Sequence, residues 1–255
     1  MALNFEKIGR QISKVEGGKY DKKVLSVNTE FDEDEYKRFN SLKIDGKFQQ
    51  VPDPDKEREI LYITGPSGSG KSTYSSNYIQ QWKKLKKNKE NEVYLFSALN
   101  DDTSIDKINP IRINVGDNLL TDPLSCEDFK DSLVIFDDID VISDKKHREA
   151  VYSILNAILE TGRHFNVSCV ITNHLPTSGK DTRRVLNECH TITYFPHSGS
   201  GRGLKYLLNE YLGLDKRTQA KIKKSKSRWA TIFKNYPNIA MTESQVFLTA
   251  DEDED

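Results

Sequence analysis

Residues 59–73 read EILYITGPSGSGKST, an apolar run that leads into a glycine-rich loop ending in Gly-Lys-Ser-Thr. The pattern GxxxxGK[ST] spans Gly65 to Ser72 and is the signature of a phosphate-binding loop. Its glycines let the backbone curl so that successive N–H groups point at phosphate oxygens, and the helix that follows adds the positive end of its dipole. The stretch therefore predicts a strand, a phosphate cradle and a helix in succession.

The residues of this loop have distinct predicted roles. The Lys71 ammonium is expected on the β- and γ-phosphates of ATP, and the Ser72 hydroxyl on a Mg²⁺ ion. Thr73 is the next side chain and is expected to help at the α-phosphate. The residues predicted to bind nucleotide are Gly65, Pro66, Ser67, Gly68, Ser69, Gly70, Lys71, Ser72 and Thr73. A glycine turn without a nucleotide is the alternative, and the strand and helix around it argue against that.

Apolar runs alternate with helical patterns along the rest of the chain. Strands are predicted near residues 59–63, 93–96, 111–115, 132–136, 167–171 and 192–195, and helices near residues 71–88, 144–162 and 180–188. Strands separated by helices imply right-handed crossovers and a parallel sheet. The predicted fold class is therefore α/β: a P-loop NTPase with a central, mostly parallel sheet flanked by helices on both faces, of the RecA or additional-strand type.

Composition divides the chain into four segments. The first is charged and carries two strand-like runs around an Asp-Gly turn, and prolines at positions 52 and 54 indicate a linker after it. We predict a β-containing N-terminal appendage at residues 1–55, a P-loop ATPase core at 56–212, a basic extension with strand-like runs at 213–250, and an acidic tail at 251–255.

Two aspartates follow the apolar run LVIF at residues 133–136. A buried strand would deliver Asp137 to its carboxyl end, where ligands bind in open α/β sheets, and we predict that Asp137 holds Mg²⁺ largely through water. Asp138 is predicted to orient and deprotonate the attacking water as the general base. Many P-loop ATPases carry the longer glutamate there, so Asp140 sharing the task and a purely structural role for Asp138 are the alternatives.

Polar side chains also follow the apolar run VSCVI at residues 167–171, which is expected to lie beside the strand of Asp137. Asn173 is predicted to contact the γ-phosphate and sense its loss, with Thr172 as the alternative. His174 is interpreted as a hydrogen-bonded loop residue.

A phosphoryl-transfer site also needs positive charge against the γ-phosphate, which ring ATPases take from a neighbouring subunit. Arg163, in the turn before the predicted sensor strand, is the preferred candidate for such a finger. The pair Arg183 and Arg184 is the alternative. A surface ion pair of little energetic value is the ordinary role of any single arginine.

The order of these segments is similar to that of a known family. GPSGSGKST (65–73), LVIFDDID (133–140), TGRHFNVSCVITNH (161–174), RRVLNECHTITYFP (183–196) and KSRWATIFKNYP (226–237) together resemble the virion-packaging ATPases of large DNA viruses, of poxvirus and giant-virus type. These belong to the HerA–FtsK superfamily of P-loop motors. The resemblance covers roughly residues 58–240, and TGRHFNVSCVITNH and KSRWATIFKNYP are much more specific to it than the common phosphate loop.

The resemblance implies a homo-oligomeric ring that uses ATP and Mg²⁺ to pull double-stranded DNA into a preformed capsid, with a capsid- or portal-type protein as a further partner. It implies nucleotide and metal contacts for Lys71 and Ser72, the metal carboxylate for Asp137, the base for Asp138 and the trans finger for Arg163. The Asp-Asp pair departs from the Asp-Glu of many members, which leaves the water-activating residue open.

Composition constrains how DNA is contacted. The 38 Lys and Arg residues nearly balance 39 Asp and Glu, so any contact with DNA must come from local patches. The lysines of residues 83–89 suit the carboxyl end of a helix. The denser run at residues 216–228 is predicted either to contact DNA or to be a solvated helix face.

The compartment is predicted from what the chain lacks. Its three cysteines are widely spaced, which indicates neither a zinc site nor a disulfide framework. No signal-like N-terminus and no membrane-spanning apolar run are present in the sequence. We therefore expect a soluble intracellular protein, in the host cytoplasm at the viral assembly site or carried with the virion.

Three classes of function follow from the sequence. The preferred one is an ATP-driven double-stranded DNA motor, which rests on the resemblance. A P-loop small-molecule kinase would need an acceptor pocket and a basic lid, and residues 216–228 lie too late in the chain for that lid. A nucleotide-gated scaffold protein would make Asp138 dispensable.

Overall fold

The computed structural model describes residues 2–29, 40–86, 91–177, 179–198 and 201–249. The predicted acidic tail and part of the lysine run at residues 83–89 lie outside these ranges. The chain forms two compact units. Glu57–His190 make up one, called the P-loop unit below, and Met1–Lys56 together with Thr191–Asp255 make up the other, called the terminal unit.

Strands and helices account for most of the described residues. In chain order the strands are β1 (Ala2–Asn4), β2 (Arg10–Glu16), β3 (Val24–Asn28), β4 (Ser41–Lys43), β5 (Lys47–Gln50), β6 (Ile60–Thr64), β7 (Val93–Ser97), β8 (Ile111–Arg112), β9 (Leu133–Asp137), β10 (Ser168–Asn173), β11 (Thr191–Tyr194), β12 (Ala230–Phe233), β13 (Ile239–Thr242) and β14 (Gln245–Leu248). The helices are α1 (Lys71–Leu85), α2 (Asn118–Thr121), α3 (Lys145–Thr161), α4 (Gly179–Glu188), α5 (Gly201–Tyr206), which continues into a π-helical turn (Leu207–Tyr211), and α6 (Lys216–Lys224). None of the helices in the described part of the chain is long and apolar enough to cross a membrane.

The P-loop unit is built on a parallel sheet in the order β6-β10-β9-β7-β8. The additional strand β10 lies between the strand that enters the phosphate loop and the strand that ends at Asp137. In its register Thr172 stands opposite Asp137, and Asn173 stands opposite Thr64. The predicted α/β fold class with a mostly parallel sheet is confirmed, and the carboxyl ends of β6, β9 and β10 meet at one edge.

Burial explains why these segments form strands and helices. Every residue of β6, β9 and β10 is buried, as expected for central strands of a parallel sheet covered on both faces. Helix α3 buries residues at spacings of three and four, namely Val151, Ile154, Leu155, Ile158 and Leu159. Its first turn is capped by Asp144, whose carboxylate accepts the backbone N–H of His147 at 2.9 Å.

Arg58 fastens the carboxyl end of α3 to the start of β10. Its guanidinium donates to the backbone oxygens of Val167 at 2.8 Å, Ile158 at 2.5 Å and Leu159 at 3.2 Å. Burial lowers the pKa of this guanidinium from its ordinary value. A Cβ at Gly162 would lie 3.3 Å from Cγ2 of Ile158 and 3.4 Å from Nη2 of Arg58, so the turn leaves little room for a side chain there. The turn that carries Arg163 is thus held by an arginine that the sequence did not single out.

The terminal unit contains antiparallel strands from both ends of the chain. One sheet has the order β1-β3-β2-β5. A second set of antiparallel strands pairs in the order β4-β14-β13-β12-β11. Side chains from both sets share one core, which includes Leu3, Ile12, Leu25, Leu42, Phe233, Ile239, Met241 and Val246.

This unit differs from the predicted segmentation. Residues 1–55 are not a separate appendage, because they pack in one unit with the residues predicted as a basic extension. Residues 191–212 also belong to this unit and not to the core predicted at 56–212. In this part of the chain the boundary between the units falls between Lys56 and Glu57. The difference arises because antiparallel pairing between distant segments, such as Leu42 with Val246, leaves no local mark in a sequence.

Candidate active site

The phosphate loop joins β6 to α1 in the predicted order. The backbone N–H of Gly65 donates to the Asn173 oxygen at 3.1 Å, which ties the loop to the end of β10. Gly68 and Gly70 have φ angles of 73° and 110°, in the left-handed region where glycine is favoured. The chain turns there so that α1 begins at Lys71 with its first N–H groups beside the loop.

Lys71 lies inside the loop. Its side chain is 6% exposed, and Nζ donates to the Gly65 oxygen at 3.0 Å. The same Nζ lies 3.5 Å from Oδ1 of Asp138. The structure thus brings together Lys71, predicted to bind the phosphates, and Asp138, predicted to be the general base.

Asp137 is a buried carboxylate at the tip of β9. It is 2% exposed and accepts hydrogen bonds from Thr172 Oγ1 at 2.8 Å and Ser97 Oγ at 3.3 Å. Burial raises the pKa of Asp137 to about 6, and the charge of Asp138 adds to this, while the hydrogen bond from Thr172 opposes it. A cation beside this carboxylate would stabilise its charged form.

Asp138 occupies a strained turn directly after β9. Its φ of 45° and ψ of 40° lie in the left-handed region, which is uncommon for a residue other than glycine. The backbone N–H of Asp138 donates to Thr172 Oγ1 at 3.0 Å, and this hydroxyl lies 3.2 Å from the Asp138 Oδ1 atom. Oδ2 lies 3.4 Å from Nε2 of His174. The carboxylate is therefore bordered by Lys71, Thr172 and His174.

Thr172, the alternative to Asn173 in the sequence analysis, is the residue that contacts both aspartates. The signal that could have found it is register: a hydroxyl beside an acid at the ends of neighbouring parallel strands. Asn173 is 2% exposed, and its Nδ2 lies 3.5 Å from the Tyr62 hydroxyl. Successive strand residues point to opposite faces, so the contacts of Asn173 differ from those of Thr172.

The remaining predicted residues lie at different distances from this cluster. Ser72 is half-buried in the first turn of α1, and Thr73 is exposed. Arg163 is exposed in the turn before β10, whereas the cluster lies at the other end of that strand. Six strand residues span about 20 Å, so Arg163 is remote from the Lys71 of its own chain. Arg184, the alternative, pairs with Glu160 at 3.2 Å.

The donor set at this edge fits Mg²⁺. A carboxylate and a hydroxyl, from Asp137 and Ser72, are the oxygen ligands that this ion prefers. In the described part of the chain, the buried atoms Ser69 Oγ and Asn173 Oδ1 have no hydrogen-bond partner. Buried polar atoms of this kind are satisfied in most proteins, so their presence here indicates a place for polar ligand groups.

Comparisons with known proteins give relatives at two levels. No protein-family profile matches the chain. Uncharacterized protein V3 of Sputnik virophage is 43% identical over 238 residues, which cover 92% of this chain and 94% of that protein.

Among solved structures, the cytoplasmic domain of the Type VII secretion ATPase EccC of Thermomonospora curvata has a TM-score of 0.52 and 12% identity. The match covers 85% of this chain and 29% of that chain. The genome packaging NTPase B204 of Sulfolobus turreted icosahedral virus 2, in complex with ATP-gammaS, has a TM-score of 0.48 and 14% identity, over 74% of this chain and 98% of that chain.

Each level of likeness establishes something different. The EccC likeness agrees with the fold predicted from the sequence, an α/β fold built on a mostly parallel central sheet. The virophage relative is similar over nearly the whole length of both chains. At that identity and coverage, the chain belongs to the same protein family as V3 of Sputnik virophage.

Proposed function

We propose that this protein is a Mg²⁺-dependent ATP hydrolase that drives double-stranded DNA into a viral capsid. The observation that supports hydrolase activity is the position of Lys71 Nζ, which lies 3.5 Å from Asp138 Oδ1. Both atoms lie at the edge of the sheet where the phosphate loop meets Asp137 and Thr172. ATP hydrolysis uses a cation on the phosphates and a base for the attacking water, and this contact places a candidate for each side by side.

Each residue of the cluster has a place in the reaction. Backbone N–H groups of residues 67–73 bind the phosphates, and Lys71 turns from the Gly65 oxygen to the β- and γ-phosphates. Ser72 and Asp137 would hold Mg²⁺, which would supply positive charge against the charge that develops on the phosphates. Asp138 accepts a proton from the attacking water, and Asn173 offers its amide to the γ-phosphate.

A second copy of the chain completes the site in this proposal. Arg163 is exposed and remote from its own Lys71, so it can serve the site of a neighbour. The loops that follow β7, β9 and β10 each present a large apolar side chain to solvent: Leu99 and Val141 are 50% exposed, and Leu175 is 55% exposed. Apolar side chains around a polar site suit a subunit contact in a homo-oligomeric ring.

Contact with DNA is assigned to helix α6. Thr218 and Ile222 are buried and fix the helix to its unit, while Lys216, Lys223 and Lys224 are exposed. Exposed lysines in this arrangement match the phosphate backbone of a duplex and release counterions on binding. The choice of double-stranded DNA as the cargo, and of a capsid- or portal-type protein as the partner, rests on the sequence resemblance to packaging ATPases.

A small-molecule kinase is the second candidate, and one cavity favours it. A space of about 380 Å³ opens beside Ser97, whose hydroxyl donates to Asp137. Arg112 and His147 also border it, so an acceptor could be held there by polar groups. A kinase would require that acceptor for steady ATP turnover, whereas a motor responds to DNA.

The test measures ATP turnover of the full chain with and without double-stranded DNA. We expect DNA to stimulate turnover, and both Lys71→Ala and Asp138→Asn to abolish it. Lys107→Ala, which removes an exposed lysine of the same unit, is the matched control and should behave as the parent. Hydrolysis by Lys71→Ala at the parent rate would refute the assigned site, and turnover indifferent to DNA would refute the motor.

A further inference from the structure

His174 lies between two carboxylates at the candidate active site. Its Nε2 atom is 3.4 Å from Oδ2 of Asp138, and its Nδ1 atom is 4.0 Å from Oδ1 of Asp140. His174 directly follows β10, and the two aspartates follow the neighbouring strand β9. The parallel pairing of these strands therefore places the ring between the acids.

The two oxygens of Asp138 have different neighbours. Oδ1 faces Lys71 and Thr172, whereas Oδ2 faces His174. In the proposed reaction Lys71 binds phosphate oxygens and no longer contacts Asp138. Thr172 and His174 then remain as the groups that orient the carboxylate. Because the terminal torsion of an aspartate has a broad energy well, the contact at Oδ2 determines where Oδ1 points.

Asp140 is the second support of the ring. Among the described residues, Asp140 Oδ1 and His174 Nδ1 are both buried and have no hydrogen-bond partner. They lie 4.0 Å apart, so a small rotation of the imidazole closes a hydrogen bond between them. An imidazolium donates from both nitrogens, which matches a carboxylate on each side. From sequence alone, His174 is interpreted only as a hydrogen-bonded loop residue.

We propose that His174, held by Asp140, is a positioning residue that fixes the carboxylate of Asp138 for hydrolysis. The inference rests on the proposed ATP hydrolase function and extends it to two residues that the phosphate-loop chemistry does not by itself require. A positioning residue acts on the rate of the chemical step and leaves the binding of ATP nearly unchanged.

The experiment compares kcat for ATP with the Kd of a non-hydrolysable ATP analogue, on the full chain. We expect His174→Ala to lower kcat at least about tenfold, since misaligned general bases lose rate of that order, with Kd changed less than about twofold. His174→Gln keeps a donor near the Nε2 position and should recover much of the rate. His197→Ala removes an exposed histidine of the terminal unit and should match the parent.

Asp140→Asn tests the second support. It should lower kcat less than His174→Ala does, and the double variant should be no slower than His174→Ala alone, because both act through one ring. Thermal unfolding of each variant checks that the fold is retained, and His174→Gln gives a reading if His174→Ala unfolds.

The outcomes separate this inference from the function on which it rests. A parent that hydrolyses ATP, with Lys71→Ala inactive and His174→Ala at the parent rate, would overturn the role of His174 alone. A loss of analogue affinity as large as the loss of kcat in His174→Ala would also overturn it. So would a double variant whose loss of kcat equals the sum of the two single losses, expressed as activation free energies. A parent no more active than Lys71→Ala would overturn both proposals.

Discussion

The hydroxyl of Thr172 lies 2.8 Å from Oδ1 of Asp137, and its oxygen accepts the backbone N–H of Asp138 at 3.0 Å. One side chain therefore holds a carboxylate and the backbone of the next residue, across two adjacent strands. The strained backbone of Asp138 is kept in place by this contact.

Replacement of Thr172 tests that relationship. Thr172→Val keeps the shape and removes the hydroxyl, so we expect a loss of about 1–3 kcal/mol in unfolding free energy and at least a tenfold loss in ATP turnover. Thr172→Ser keeps the hydroxyl and should retain most of the stability and most of the ATP turnover. Urea unfolding and steady-state turnover measure the two effects. A valine variant as stable and active as the parent would contradict the assigned role.

The raised pKa of Asp137 predicts an unusual pH dependence of stability. A carboxyl whose pKa is raised to about 6 in the folded state binds a proton more tightly when folded than when unfolded. Its contribution to stability is therefore lost as pH rises from about 4 to above 6, by about 2–3 kcal/mol.

Asp137→Asn isolates this contribution. The unfolding free energy of the variant relative to the parent should increase by about 2–3 kcal/mol between pH 4 and pH 7, measured with urea in the absence of Mg²⁺. Hydrolysis should be lost because the metal ligand is gone. A difference between variant and parent that stays constant over this pH range would show that Asp137 titrates normally.

The exposed position of Arg163 predicts complementation between subunits. Arg163→Ala should bind nucleotide as the parent does, and its turnover should fall about a thousandfold, as for other arginine fingers. Mixing it with inactive Lys71→Ala should restore part of the activity, since an intact loop then meets an intact arginine. Activity of the mixture is read by phosphate release. A mixture as inactive as its components would argue for a finger elsewhere, and Arg183→Ala is the next variant to mix.

Arg58 is expected to be a major source of stability in the P-loop unit. Arg58→Ala removes the guanidinium donor from two backbone oxygens at the end of α3 and from that of Val167 before β10, so we expect a loss of about 2–4 kcal/mol in unfolding free energy. The lysine ammonium of Arg58→Lys cannot reproduce the planar set of guanidinium N–H donors, so this variant should recover only part of the lost stability. Urea unfolding provides the measurement. A loss under about 0.5 kcal/mol in the alanine variant would mean that water replaces the guanidinium.

The basic face of α6 predicts a salt-dependent response to DNA. Replacing Lys216, Lys223 and Lys224 together by alanine should weaken DNA binding and reduce the slope of log K against log salt by about two to three. Turnover without DNA should be unchanged. The control replaces Lys19, Lys43 and Lys47, which are also exposed and give the same change in net charge. Equal effects in the two variants would indicate a general charge effect and no site on α6.

The sequence alone predicted the fold of the P-loop unit because its signals are local. A phosphate loop needs glycines and a lysine at fixed spacing, and buried parallel strands are continuous apolar runs. Asp137 and Asp138 could be placed at a strand end for the same reason. The roles assigned to Asn173 and Arg163 remain predictions.

Tertiary structure alone decided the rest. Thr172 and Asp137 are 35 residues apart in sequence and meet only because β9 and β10 pair in one particular register. The ring of His174 reaches Asp138 and Asp140 by the same pairing. Strand β4 joins β14 across some 200 residues, so both ends of the chain share one apolar core. Local sequence encodes the tendency to form each strand, whereas partner and register depend on burial summed over distant segments.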